Sequence, residues 1–133
     1  MDVRRLEDVP WLAGATEDER RRVAEAAQER SYPAGREMIR QGEMTDAFYV
    51  ILEGSADVVR DDTVINRLSE GEFFGEMGAL DAGPGYSLAR NASLVVVDQL
   101  TAAVIPGERF AELLREMPWF REQIYATMSR RES

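Results

Sequence analysis

A chain of 133 residues with 44% hydrophobic content is the size of one domain and can bury one core of ordinary size. It has no cysteine, no histidine and no lysine, so all sixteen basic residues are arginine, and the net charge is −9 with a pI of about 4.6. That composition excludes disulfides, thiolate metal sites, lysine Schiff bases, histidine general bases and any lysine-bearing phosphate loop, and it sets most of the surface against duplex nucleic acid.

The N-terminal stretch MDVRRLEDVPW has no apolar leader core, and no apolar run reaches the roughly 18 residues of a membrane span. A cytoplasmic protein without a membrane span is expected. Val9, Trp11 and Leu12 form a first apolar cluster. Thr16 reads as a helix N-cap, with Glu19 completing a capping box. Val23 and Ala27 supply the buried stripe of that helix, and its arginines and glutamates supply the wet face. SYPAGREM then interrupts helical periodicity through Pro33 and Gly35.

From position 37 the pattern turns sheet-like. EMIRQG, AFYVILEG, SADVVR, TVINRL and EFF are short runs rich in β-branched and aromatic residues, separated by turn signals at Gly42, Gly54, Asp61–Asp62 and Gly71. Phe48, Val50 and Leu52 alternate with Tyr49 and Ile51, so both faces of that run are apolar, as in a strand covered on two sides. ASLVVVDQLTAAVIP predicts two further strands with a turn near Asp98–Gln99. In the tail, Phe110, Leu113 and Leu114 make one helical stripe. Pro118 ends that helix or opens the next, which Trp119, Ile124, Tyr125 and Met128 line. The predicted fold is mainly β with flanking helices: about eight short strands rolled into a barrel or sandwich. It forms a single domain, with an N-terminal helical part over 1–29, a β-roll over 30–106 and C-terminal helices over 107–131.

The stretch FFGEMGALDAGPGYSLARNAS, residues 73–93, holds the chemistry. Gly71 and Gly75 let the backbone turn sharply and approach a ligand without a Cβ in the way. GEMGAL, which contains Met77 and Gly78, can make one helical turn whose free N–H groups favour an anion. Arg90 can set a planar fork against two phosphate oxygens. Glu76, acceptor-only when ionised, suits a pair of sugar hydroxyls. Together they would select a nucleotide with a compact phosphate. The plainer alternative leaves Glu76 and Arg90 solvated, or paired with each other.

PWLAGATEDERRRVAEAAQERSYPAGREMIRQGEMTDAFYVILEGSADVV, followed by GEFFGEMGALD and ARNAS, resembles the cyclic-nucleotide-binding domains of the catabolite-activator, protein-kinase-regulatory-subunit and gated-channel superfamily, over roughly residues 6–128. The resemblance implies a double-stranded β-helix (jelly-roll) barrel. It implies that Gly75 and Glu76 match the family's Gly–Glu, whose carboxylate bonds the ribose 2′-hydroxyl. Arg90 then matches the arginine that holds the cyclic phosphate, assisted by the backbone N–H groups of Gly78 and Ala92. Asn91 sits where Ser or Thr often follows that arginine. Val58 and Phe73 belong either to the apolar wall near the base or to plain barrel core.

One departure stands out. The family's loop is usually several residues shorter, with Pro-Arg immediately before Ala-Thr, whereas here Pro84 is followed by Gly85. One alignment makes Gly85 the lost arginine and the pocket dead. The other inserts GPGYSL and keeps Arg90, and it fits better, because RNAS runs to the strand-ending proline at the family spacing. Arg90 could instead be structural, with Glu76, Asp81 or Asp98 as its acid partner, and Tyr86 could stack on a base or pack on the barrel.

By the same resemblance the effector is cAMP ahead of cGMP, with no metal and no catalysis. The C-terminal helices, through Trp119, Phe120, Ile124, Tyr125 and Met128, would repack on binding and form a homodimer contact or cover the base. The output would be a protein partner or a domain beyond Ser133; the starting Met1 and charged ending SRRES favour a complete small sensor. The competing expectation is a degenerate pocket on a ligand-free interaction scaffold.

Overall fold

A computed structural model describes residues 1–42, 47–75 and 92–132, with side chains through Thr127. Short 3-10 turns at Val3–Leu6 and Pro10–Leu12 lead into helix α1, Glu17–Ala26. The capping box forms as expected: Thr16 Oγ1 accepts from the Glu19 N–H at 3.1 Å, and Glu19 Oε1 accepts from the Thr16 N–H at 2.9 Å. Two of the N–H groups that a helix start leaves unpaired, or nearly so, are thereby satisfied.

The helix stops earlier than the sequence suggests. Ala27 is already extended, and strand β1, Gln28–Tyr32, begins two residues before the expected boundary at 30. Four of its five residues are exposed, so it shows no apolar alternation to read. Pairing with the last strand, Gln28 opposite Val104 through Tyr32 opposite Leu100, decides its conformation.

The other described strands are β2 (Glu37–Ile39), β3 (Phe48–Arg60), β4 (Thr63–Leu68), β5 (Phe73–Phe74) and β6 (Ser93–Ile105). The expected breaks at Gly54 and at Asp98–Gln99 do not occur. β3 and β6 each run unbroken through those positions and pair antiparallel along their length. What the turn residues mark is a bend. The register between the two strands shifts three times between Ile51 and Ala56, as extra residues bulge out and twist the ribbon. Gly54 sits at the crossing with φ +90°, and a Cβ there would lie 2.3 Å from the Gln99 carbonyl oxygen. The described residues therefore hold six strands, two of them long, where the sequence suggests shorter separate ones.

The bend divides the sheet into two leaves. β1 and β5 flank one half of the β6–β3 ribbon, and β2 and β4 flank the other. This is the rolled, jelly-roll-like architecture that the sequence predicts, built on two long shared strands. Phe48, Val50, Phe73, Ala103 and Ile105 face the helices, whereas Ile51, Ala56, Val58, Leu94, Leu100 and Ala102 form a second cluster. The two-sided burial of β3 is thus real: its alternate residues belong to different cores.

The helical side is closed by α2, Gly107–Glu116, and α3, Pro118–Glu132, with Pro118 opening the second helix. Phe110 stacks on Phe48 with ring centroids 4.0 Å apart, and Phe120 meets both Phe110 and Trp11. Each such buried ring contributes roughly 2–3 kcal/mol of apolar transfer. Phe120 and Ile124 face inward, but Tyr125, expected in the same stripe, is 41% exposed with Arg121 over its ring. Trp119 is half-buried against Gly14. Among the described residues no helix is long and apolar enough to cross a membrane.

Candidate functional site

The stretch that carries the predicted chemistry lies in sequence between β5 and β6. At its entrance, β5 pairs Phe73 with Val50 and Phe74 with Tyr49. Just upstream, the Gly71 N–H donates to the Ile51 carbonyl, and the Ile51 N–H donates to the Glu72 carbonyl, both at 2.8 Å. Gly71 and Gly75 have φ of +87° and +103°, left-handed values that a Cβ disfavours. Gly71 is also fixed from the N-terminal side. A Cβ there would lie 2.7 Å from Pro10 Cδ, and its carbonyl accepts from Trp11 Nε1 at 2.7 Å in a buried bond. The proline and tryptophan of the 3-10 turn therefore grip the turn that launches the loop.

At the loop's exit, Ala92 is buried, and Ser93, the first residue of β6, is the buried polar residue of the described core. The Ser93 hydroxyl accepts from the Gln41 N–H at 2.8 Å. Gln41 also closes a reciprocal pair with the β3–β4 turn: the Asp61 N–H donates to Gln41 Oε1, and Gln41 Nε2 donates to Asp61 Oδ1, both at 2.9 Å. Asp61 and Asp62 both have positive φ, 51° and 64°, as a two-residue hairpin turn of this hand demands. The sequence marks this turn but gives no sign that Gln41 holds it.

Of the predicted site residues, Gly75, Ala92, Val58 and Phe73 are described; Glu76, Met77, Gly78, Arg90 and Asn91 lie outside the described residues. Val58 and Ala92 share the second core cluster. Phe73 is not brought together with them. Its ring is fully buried in the first cluster, 5.1 Å from Trp11 and 5.3 Å from Phe48. A cleft of about 340 Å³ opens nearby between Trp11, Glu70, Gly71, Glu72 and the α3 residues Gln123 and Thr127; of the described site residues, Val58, Phe73, Gly75 and Ala92 do not line it.

Charge around the frame is paired. Arg5 bridges Glu53 at 2.9 Å and Glu29 at 3.0 Å, tying the first 3-10 turn to β3 and β1; the bonds to Glu53 and Glu29 hold the guanidinium above its already high pKa. Arg67 of β4 pairs with Asp57 of β3 at 2.8 Å, which raises its pKa in the same way.

The cyclic nucleotide-binding domain family matches residues 29–117, on both sides of the loop. The chain belongs to that family. Within it, the cAMP-dependent protein kinase regulatory subunit of Schizosaccharomyces pombe is 34% identical over 110 residues, covering 82% of this chain and 26% of that protein. The chain thus spans about a quarter of the length of the curated relatives it matches. The catabolite activator protein of Thermus thermophilus superimposes with a TM-score of 0.78 at 28% identity, over 92% of this chain and 57% of that one. The regulatory subunit of a cAMP-independent protein kinase A from Trypanosoma brucei gives 0.82 at 25% identity, over 96% and 44%. A triple mutant of that subunit, one change of which introduces an arginine in place of threonine, is described as bound to cAMP in its A site.

Proposed function

We propose that this family member binds a cyclic nucleotide, cAMP in preference to cGMP, and converts occupancy into a signal through its C-terminal helices. The observation that carries this is the conjunction at the loop: a Gly75–Glu76 pair at the end of an ordered turn, and an Arg90-Asn91-Ala92-Ser93 run at the start of β6. In that assignment the Glu76 carboxylate accepts from the ribose 2′-hydroxyl, and the Arg90 guanidinium pairs with the cyclic phosphate. The backbone N–H groups of Gly78 and Ala92 assist at the anion, with Met77 and Asn91 beside them, while Val58, which shares a core cluster with Ala92, stands behind the base and Phe73 belongs to the opposite core.

The position of α3 supports this output. Phe120 packs on Trp11, and Trp11 bonds the Gly71 turn, so a ligand that shifts the loop has a contiguous path to the last helix. The size of the response is set by the ligand's differential affinity for the two helix arrangements. A protein partner or a further domain would read the helix, with a second copy as a further taker for its exposed face. Binding in the cytoplasm, without a metal and without catalysis, completes the proposal.

A second reading keeps the fold and drops cAMP, leaving a scaffold or a sensor of another ligand. It is favoured by Pro84–Gly85, where the family usually has Pro-Arg, and by the relative described as cAMP-independent. Thermal denaturation separates the two. A ligand at 100 times its Kd stabilises the fold by about 2.7 kcal/mol. Such a shift with cAMP supports the first reading, and a flat response to both cAMP and cGMP supports the second.

A further inference from the structure

Gln41 joins its own segment to two others that are far away in sequence. It lies in the turn after β2, its backbone N–H donates to Ser93 Oγ, and its side chain exchanges two hydrogen bonds with Asp61 at the β3–β4 hairpin tip. The intervals are 52 and 20 residues. Asp61 and Asp62 sit at left-handed φ, a conformation that costs a non-glycine residue, and the reciprocal amide pair offsets that cost at the tip. Ser93 is buried, and its hydroxyl needs a partner there. It is also three residues beyond Arg90, in the first position of β6.

We propose that Gln41 is a positioning residue for the ligand site: by locking the hairpin tip and the first residue of β6 to one turn, it fixes where the chain emerging from Arg90 enters the sheet. This rests on the reading of Arg90 as the phosphate ligand. Small displacements of such a residue are expensive, because a bidentate guanidinium–phosphate pair tolerates little change in distance or angle. The effect would fall on ligand dissociation, since nothing in it alters long-range charge.

The test uses the intact chain, Gln41→Ala, and the paired swap Gln41→Glu with Asp61→Asn. The swap exchanges amide for carboxylate at the two ends of the clasp: the carboxylate placed at position 41 accepts from both the backbone N–H and the side-chain amide at position 61. Calorimetry with cAMP, well below the melting temperature, should show roughly tenfold weaker binding for Gln41→Ala and return to within about twofold of the parent for the swap. Gln41→Glu alone, which sets two carboxylates against each other, should bind more weakly than the swap. Amide hydrogen exchange over residues 92–96 should quicken in Gln41→Ala and recover in the swap. Unchanged cAMP affinity in Gln41→Ala overturns the proposal, as does a loss that the swap fails to restore. If the parent itself binds no cyclic nucleotide, the ligand assignment fails and the positioning role fails with it, whereas binding by the parent that Gln41→Ala leaves unchanged ends the positioning role alone.

Discussion

The Trp11 indole donates to the Gly71 carbonyl at 2.7 Å, across 60 residues of sequence, and its ring lies between Phe73 at the loop entrance and Phe120 of α3. One side chain thus joins the N-terminal turn, the start of the ligand loop and the C-terminal helix. Trp11→Phe keeps much of the ring but strands a buried carbonyl, which should cost about 1–3 kcal/mol. Trp11→Ala should cost about 3–5 kcal/mol. Urea unfolding followed by far-UV circular dichroism measures both, and equal costs for the two would show that the hydrogen bond, and not the packing, is what matters.

Glycine substitutions should rank by what surrounds them. Gly35 has φ +87° and open space where a Cβ would point, with nothing within 4 Å, so Gly35→Ala should cost about 1–2 kcal/mol of backbone strain alone. Gly71→Ala adds the collision with Pro10 and should reach about 2–4 kcal/mol. At Gly54 the obstacle is backbone, the Gln99 carbonyl, which has no rotamer to yield. Gly54→Ala should therefore be the worst of the three, at about 3 kcal/mol or more. Denaturant midpoints of the three variants check the order.

Those positions also show what the sequence could and could not tell. Thr16 and Glu19 announce their helix start because a capping box is a local signal, complete within four residues. The apolar alternation on both faces of Phe48–Leu52 announces a strand buried twice, and it is one. Gly54 announces only that the backbone does something unusual. A turn and a bulge use the same left-handed glycine, and pairing with β6 from Phe48 to Val59 chooses the bulge. β1 is invisible to pattern because its residues are mostly exposed and polar, and its strand state comes from its partner. Tyr125 departs from its expected stripe because aromatic spacing in α3 does not decide which ring turns inward. At the site, Gly75, Glu76 and Arg90 stand out as residue types with a matching chemistry. Gln41 does not, since its partners lie 20 and 52 residues away.

The capping box gives a clean stability measurement away from the site. Thr16→Ala removes an exposed cap and should cost about 1 kcal/mol without altering ligand affinity. A melting curve and a binding isotherm on the same preparation check both halves.

The role assigned to Glu76 predicts a coupling with the sugar. Glu76→Ala should weaken cAMP by about 1.5–3 kcal/mol, the range for a hydrogen bond to a charged group. It should weaken 2′-deoxy-cAMP far less, because that ligand already lacks the hydroxyl. Equal losses for both ligands would place the carboxylate elsewhere.

The most direct measurement is calorimetry of cAMP with the parent chain and with Arg90→Ala. Removing a guanidinium from a buried phosphate should cost about 3–5 kcal/mol, a drop of roughly 150- to 4,000-fold in affinity. Saturable binding by the parent, nearly lost in Arg90→Ala, is the predicted result. Equal binding by the two proteins, or none by the parent, contradicts it.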